Sequence, residues 1–247
     1  MSFAAAPALQ SDDLSTARQR AQWSPYEDNS GTVLAIAGKD YVILGADTRV
    51  SSGYQILTRK ASKLTTINDR VVTGAGGMKA ERDALHQYLH ARVTMYRQQH
   101  HVDMSVTSFA QMLSTVLYSK RFFPWYTFNL VAGLDKDGEG WVFGYDAIGS
   151  FGKTKYGAKG SGSALACSML DNQVAFLTQP QNKKDLSLPE AVDLMKDIFA
   201  SIAERDIHTG DTVVTFVFFL LPCMLSRRIR TAGDSYRHER GRLGRLV

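Results

Sequence analysis

Five stretches hold residue types that can do chemistry. The first is Ser30-Gly31-Thr32, at the entry to an apolar run. Hydrolysis of the Gly31–Thr32 bond would free the α-amine of Thr32. That amine can serve as base while the hydroxyl attacks a carbonyl. A strand that merely begins with a β-branched residue reads the same way. The second is Asp47, with Lys63 sixteen residues later. A buried lysine beside a carboxylate would lower a nearby hydroxyl pKa electrostatically, whereas a surface lysine would do nothing of the kind. The third is Gly160-Ser161-Gly162-Ser163 ahead of a helix, whose backbone amides could hold an anion. No lysine follows as in a P-loop, which speaks against a nucleotide site. The fourth is Arg205-Asp206-Ile-His-Thr209-Gly210-Asp. Asp206 and Thr209 could support a site built elsewhere, or simply close a helix at Gly210. The fifth is the pair His86 and His90, four residues apart on a helix. Gln87 stands where a metalloprotease needs its Glu, and no third ligand is evident, so ordinary helix-face histidines are expected and no metal or cofactor.

The elements that must position these residues can be read from periodicity. Thr32 to Ala37 and Tyr41 to Ala46 form two nearly continuous apolar strands around the turn Gly38-Lys-Asp, a hairpin buried on both faces. Strands are expected at Lys63 to Ile67 and Val71 to Ala75. Gly76-Gly77 opens a helix to about His100, with Leu85, Leu89 and Val93 on one face and Tyr88 and Met95 near it. Ser105 or Thr107 caps a second helix carrying Phe109, Met112, Leu113, Val116 and Leu117. Strands return at Phe128 to Leu134 and Trp141 to Tyr145, and a further one is expected near Lys153 to Ala158. A short helix follows Gly160-Ser-Gly-Ser. Ser187, Pro189 and Glu190 mark a capping box for a helix to about Arg205, and a last strand begins near Thr212. Blocks of strands and helices in this order predict an α+β fold, with two sheets between two helix layers.

Composition bounds the function. Hydrophobic residues are 44% and charged residues 21% of 247, as in an ordinary soluble domain. The net charge of +5 resides in residues 227–247, which hold seven arginines, Asp234 and Glu239; the remainder is neutral. Such a tail reads as a solvated end rather than a nucleic-acid surface. Cys167 and Cys223 form no disulfide framework. The longest apolar run, Val213 to Leu225, has 13 residues and contains Pro222, where a membrane span needs about 20. No secretory leader is expected at the N-terminus. No nucleic-acid or membrane partner is expected. Residues 1–29 read as an arm, whose Trp23, Pro25 and Tyr26 could dock on a surface.

Taken together, these motifs resemble a known family. Thr-x-x-Ala, Gly-Lys-Asp, Ala-Asp-Thr-Arg, Lys63, Gly-Ala-Gly-Gly, Gly-Ser-Gly-Ser and Arg-Asp-x-x-Thr-Gly stand in the order and spacing of 20S proteasome β subunits, over residues 24–217. Ser24-Pro-Tyr, Ser30-Gly-Thr-Val-Leu-Ala-Ile-Ala-Gly, Tyr118-Ser-Lys-Arg-Phe-Phe-Pro124 and Leu170-Asp-Asn-Gln-Val174 are most similar to its beta type-1 branch. The resemblance implies a four-layer αββα sandwich of the N-terminal-nucleophile hydrolase type. It also implies partners: other β subunits in the same and opposite rings, and α-ring subunits. The setting it implies is ATP- and ubiquitin-linked protein degradation in cytoplasm and nucleus. On this reading residues 1–29 are an arm or propeptide, 30–217 the β-type domain, and 218–247 a divergent basic tail.

The resemblance also implies where chemistry stops. In cutting members the nucleophilic threonine lies sixteen residues before the aspartate of the Ala-Asp-x-Arg motif. Here that position is Gly31, which has no hydroxyl. Thr32 is one residue nearer, and a one-residue slip in a strand turns a side chain to the other face. Asp47 and Lys63 match the residues that orient and activate the threonine. Ser161 and Asp206 match too, and Thr209 stands where those members usually carry serine. No catalytic residue is therefore expected. Gly31, Thr32, Asp47, Lys63, Ser161, Asp206 and Thr209 are vestigial positions. The alternative is an active threonine endopeptidase using Thr32 after cleavage at Gly31–Thr32.

Overall fold

In the computed structural model the described residues are 24–219, except 178, 180 and 182–184, together with the backbone of 227–231. Trp23 and Cys223 lie outside the described residues, as do most of the arm and most of the tail.

The continuous apolar runs become the hairpin β1 (Thr32–Ala37) and β2 (Tyr41–Asp47), whose two strands are buried along their whole length. Two short strands not expected from the sequence follow, β3 (Val50–Ser52) and β4 (Gln55–Thr58). Then come β5 (Leu64–Asn68), β6 (Val71–Gly77), α1 (Lys79–His100), α2 (Val106–Tyr118), β7 (Thr127–Leu134) and β8 (Gly140–Tyr145). After these come β9 (Phe151–Thr154), β10 (Tyr156–Gly160), α3 (Ser163–Leu170), α4 (Leu188–Ala203), β11 (Val213–Phe219) and β12 (Arg227–Thr231). A π-helical turn, Asp171–Ala175, prolongs α3. Ser105 rather than Thr107 caps α2, its hydroxyl accepting from the Ser108 N–H. The capping box of Ser187 and Glu190 starts α4.

Two five-stranded antiparallel sheets stack face to face. One runs β10-β1-β2-β11-β12, the other β5-β6-β7-β8-β9. The single strand expected near Lys153 to Ala158 is two strands. The chain leaves one sheet as β9 and joins the other as β10, with only Lys155 between them. β12 lies within the basic tail and pairs with β11 from Val213↔Thr231 to Val217↔Arg227.

Alternation along the strands divides the core in three. Val33, Ala35, Val42, Leu44 and Ala46 meet Leu64, Val72, Leu130 and Val142 of the second sheet. Leu34, Ile36 and Ile43 turn the other way, onto Met195, Ile198, Phe199 and Ile202 of α4 and Leu170 of α3. Leu85, Leu89 and Val93 of α1 and Phe109, Leu113 and Leu117 of α2 cover the outer face of the second sheet. The result is the four-layer αββα sandwich of an α+β protein. Tyr88 and Met95, expected near the apolar face of α1, are exposed instead, because that face is only as wide as the Leu85–Leu89–Val93 stripe. Phe218 is buried between the sheets.

His86 is one of the buried polar residues of α1, its Nδ1 3.0 Å from Thr65 Oγ1, while His90 is exposed. Among the described residues no group of His, Cys, Asp and Glu is arranged to hold a metal ion. Burial, reinforced by the Arg82 charge, pushes the His86 pKa down to about 4. The unfolded chain takes up that proton near pH 6.5, so stability is complete above that pH and is lost as pH falls towards 4. On this basis His86 contributes a loss of about 2 kcal/mol between pH 7 and pH 5. Denaturant titrations of the wild-type chain and His86→Gln at both pH values check this: the variant should show a smaller loss by that amount.

Candidate functional site

The site is assembled around one buried ion pair. Asp47 ends β2 and Lys63 precedes β5, and both are about 1% exposed. Lys63 Nζ lies 3.0 Å from Asp47 Oδ1 and also donates to the carbonyls of Asp47 and Arg49. An ammonium has three N–H donors, and all three are engaged. The Asp47 carboxylate accepts further bonds from the backbone N–H groups of Thr32 (2.8 Å), Arg49 (3.2 Å) and Gly210 (3.4 Å). Burial raises the Asp47 carboxyl and lowers the Lys63 ammonium, and their mutual attraction opposes both shifts. The Arg49 side chain does not join the pair. Its guanidinium bonds Asp211 at 2.8 Å and the Ile207 carbonyl at 2.8 Å, and Arg59 holds the other Asp211 oxygen at 2.6 Å.

Gly31 sits directly against this pair. It has φ +88°, a conformation that glycine adopts freely. A Cβ at this position would lie 2.3 Å from Lys63 Cε, 2.5 Å from Nζ and 2.8 Å from Asp47 Oδ1. The lysine thus fills the space that a side chain at position 31 would need. Gly160, at φ +108°, makes the matching close approach from β10: a Cβ there would fall 1.9 Å from the Gly31 carbonyl oxygen. That carbonyl accepts from the Ser161 N–H at 3.1 Å.

Thr32 shares the strand face of Leu34 and Ile36, towards the α3 and α4 layer. Its hydroxyl lies 2.7 Å from Thr209 Oγ1 and accepts from the Gly162 N–H at 3.0 Å. Thr209 donates to Asp206 Oδ2 at 2.6 Å, and Ser161 donates to the same oxygen at 2.6 Å. Since the Thr209 proton goes to the carboxylate, the Thr32 hydroxyl must donate to Thr209. Burial pushes the Asp206 carboxyl up, but bonds from Ser161, Thr209 and the His208 N–H outweigh it and hold the carboxyl below its usual value.

The seven expected positions therefore form two adjoining groups. Gly31, Asp47 and Lys63 make one; Thr32, Thr209, Asp206 and Ser161 make the other. The Thr32 backbone N–H on Asp47 links them. The Thr32 hydroxyl has its donor and its acceptor bond satisfied, and the residue is fully buried. A cavity of about 310 Å³ opens beside the site, lined by Asp28, Ser30, Gly77, Phe128, Lys159, Gly160, Ser161 and Ser163, and not by Thr32, Asp47 or Lys63. The sequence reading gave no role to Asp211, which anchors Arg49 and Arg59. It expected the amides of Gly160-Ser161-Gly162-Ser163 to face an anion, whereas the Gly162 amide donates to the Thr32 hydroxyl. Asp211 reads as loop chemistry until Arg49 is seen beside it.

A proteasome-subunit family model matches residues 27–218. Proteasome subunit beta type-1 of Arabidopsis thaliana is 49% identical over 199 residues, covering 78% of this chain and 89% of the relative. Proteasome subunit beta type-1 of Dictyostelium discoideum is 47% identical over 193 residues, covering 77% and 82%. A probable proteasome subunit beta type-6 of Schizosaccharomyces pombe is 38% identical over 204 residues, covering 79% and 91%. With this match and with the αββα sandwich arranged around Asp47 and Lys63, the chain belongs to the proteasome subunit family, as a homologue of proteasome subunit beta type-1.

Proposed function

We propose that the chain is a non-catalytic structural β subunit of the 20S core particle. It completes a β ring, contacting other β subunits in its own and the opposite ring and subunits of the α ring. It serves ATP- and ubiquitin-linked degradation carried out by the complex, in cytoplasm and nucleus. Residues 30–217 are its β-type domain, residues 1–29 an arm or propeptide and residues 218–247 a basic tail. One observation carries the reading: the residue packed against Lys63 is Gly31, which has nothing to activate. A nucleophile must lie within hydrogen-bond reach of its base and of the carbonyl it attacks. The Thr32 hydroxyl is bonded to Thr209 and Gly162 and shielded from solvent, so a substrate carbonyl has no path to it.

The rival, a threonine endopeptidase using Thr32, has one observation in its favour. The Thr32 nitrogen is 2.8 Å from Asp47 Oδ1, where a freed amine would be held in place. Cleavage at Gly31–Thr32 would also release the strand end that fixes Thr32 in its present register.

Two predictions follow from the non-catalytic reading. Edman sequencing and intact mass of the chain from the assembled particle should place its N-terminus upstream of Thr32, and Thr32→Ala should leave each peptide-cleaving activity of the particle unchanged within about twofold. An N-terminus at Thr32 with a large loss on substitution would establish the rival instead. Separately, Lys63→Met strands the Asp47 carboxylate in the core, which costs about 3–5 kcal/mol. The melting temperature of the chain should drop by roughly 10 °C, while cleavage per assembled particle stays at the wild-type level.

A further inference from the structure

The segment from Tyr118 to Pro124 leaves three large aromatic side chains in solvent. Phe122 is 98% exposed, Tyr118 62% and Phe123 59%. Single exposed apolar residues are unremarkable on protein surfaces, but three within six positions form a patch that needs a reason.

The segment is also rigid. Successive turn bonds join the Lys120 N–H to the Leu117 carbonyl, Arg121 to Tyr118 and Phe123 to Lys120. The Lys120 ammonium sits 3.9 Å above the Trp125 ring. Tyr26, from the end of the arm, stacks between Phe123 and Tyr126 with ring centroids 5.4 Å from each, and its hydroxyl donates to the Pro124 carbonyl at 2.6 Å. Leu117, immediately before the segment, is fixed in the core. Phe122 thus projects from a backbone held on both sides, so docking would cost little beyond the freedom of its own ring, which suits an interface anchor.

We propose that Phe122 is an anchor that inserts into an apolar socket of a different proteasome subunit, with a carboxylate at the socket rim meeting Arg121. This rests on the reading of the chain as a ring subunit. The charge selects the partner. Arg121 is exposed beside Phe122, and Lys120 follows Tyr118 by two positions. A symmetric contact between two copies of this patch would bring these cations together, whereas an acidic rim would pair with Arg121 in bidentate geometry. Tyr26 then has a defined role, as a brace that ties the arm to Phe123 and Pro124, next to the anchor.

Replacing Phe122 with a benzophenone-bearing residue in the full chain, co-expressed with the remaining subunits, tests this directly. Irradiation of the purified particle should link position 122 to another proteasome subunit, at an apolar site flanked by Asp or Glu. In competition with the wild-type chain, Phe122→Ala and Arg121→Glu should each be incorporated about tenfold less. Phe122 is almost fully exposed, so its loss leaves the fold intact. A chain that enters the particle but forms no link, or links to a second copy of itself, overturns the anchor while leaving the subunit reading in place. Absence of the wild-type chain from the particle overturns the subunit reading itself.

Discussion

The contact between Asp47 and Lys63 is the constraint on which the rest of the site depends. Two opposite charges without access to water are tolerated only when their remaining hydrogen-bonding capacity is also met. The fold meets it with backbone groups. The carbonyls of Asp47 and Arg49 cap the ammonium, and amides from Thr32, Arg49 and Gly210 cap the carboxylate. Those groups come from β1, from the end of β2 and from the loop before β11. Satisfying one ion pair therefore fixes three segments distant in sequence. Such a pair adds little net stability compared with a well-packed apolar pair, but removing one partner is costly. On the proposed non-catalytic reading, this gives a physical reason for the pair to persist without chemistry.

The same packing supports the proposed non-catalytic reading. Position 31 lies just before β1, and it is the one whose side chain would face Lys63. With glycine there, the lysine stem occupies the vacant volume and its three donors turn to carbonyls and Asp47. Thr32 is the next residue along, and the alternation that buries Leu34 and Ile36 under α4 carries its hydroxyl to the same side. There Asp206 organises Ser161, Thr209 and Thr32 into a closed set of hydrogen bonds. On the proposed reading, the scaffold around Asp47 and Lys63 is kept while the reacting atom is missing, a case in which fold and chemistry part company.

Much of this was legible in the residues. The continuous apolar runs of β1 and β2 announced strands covered on both faces, the capping box located the start of α4, and the spacing back from Asp47 pointed to Gly31, which the structure packs against Lys63. What was hidden depends on contacts far apart in sequence. The change of sheet between β9 and β10 leaves no mark, because a strand reads the same in either sheet and Lys155 alone spans the gap. The short β3–β4 hairpin carries alternating polar residues around Gly53 and looks like loop. β12 is built from an arginine-rich stretch with no strand periodicity, and its pairing with β11 supplies what its composition lacks. Tyr88 and Met95 misled because helical periodicity gives the direction of a buried face but not its width.

The central claim is that no hydroxyl of this chain can act as a nucleophile. An electrophilic peptide probe that is captured only by a threonine bearing a free α-amine measures this most directly. The assembled particle would be treated to saturation and every subunit weighed intact. The account predicts that catalytic subunits gain the mass of the probe and that this chain, with its N-terminus upstream of Thr32, gains none. A stoichiometric adduct on Thr32 would contradict it.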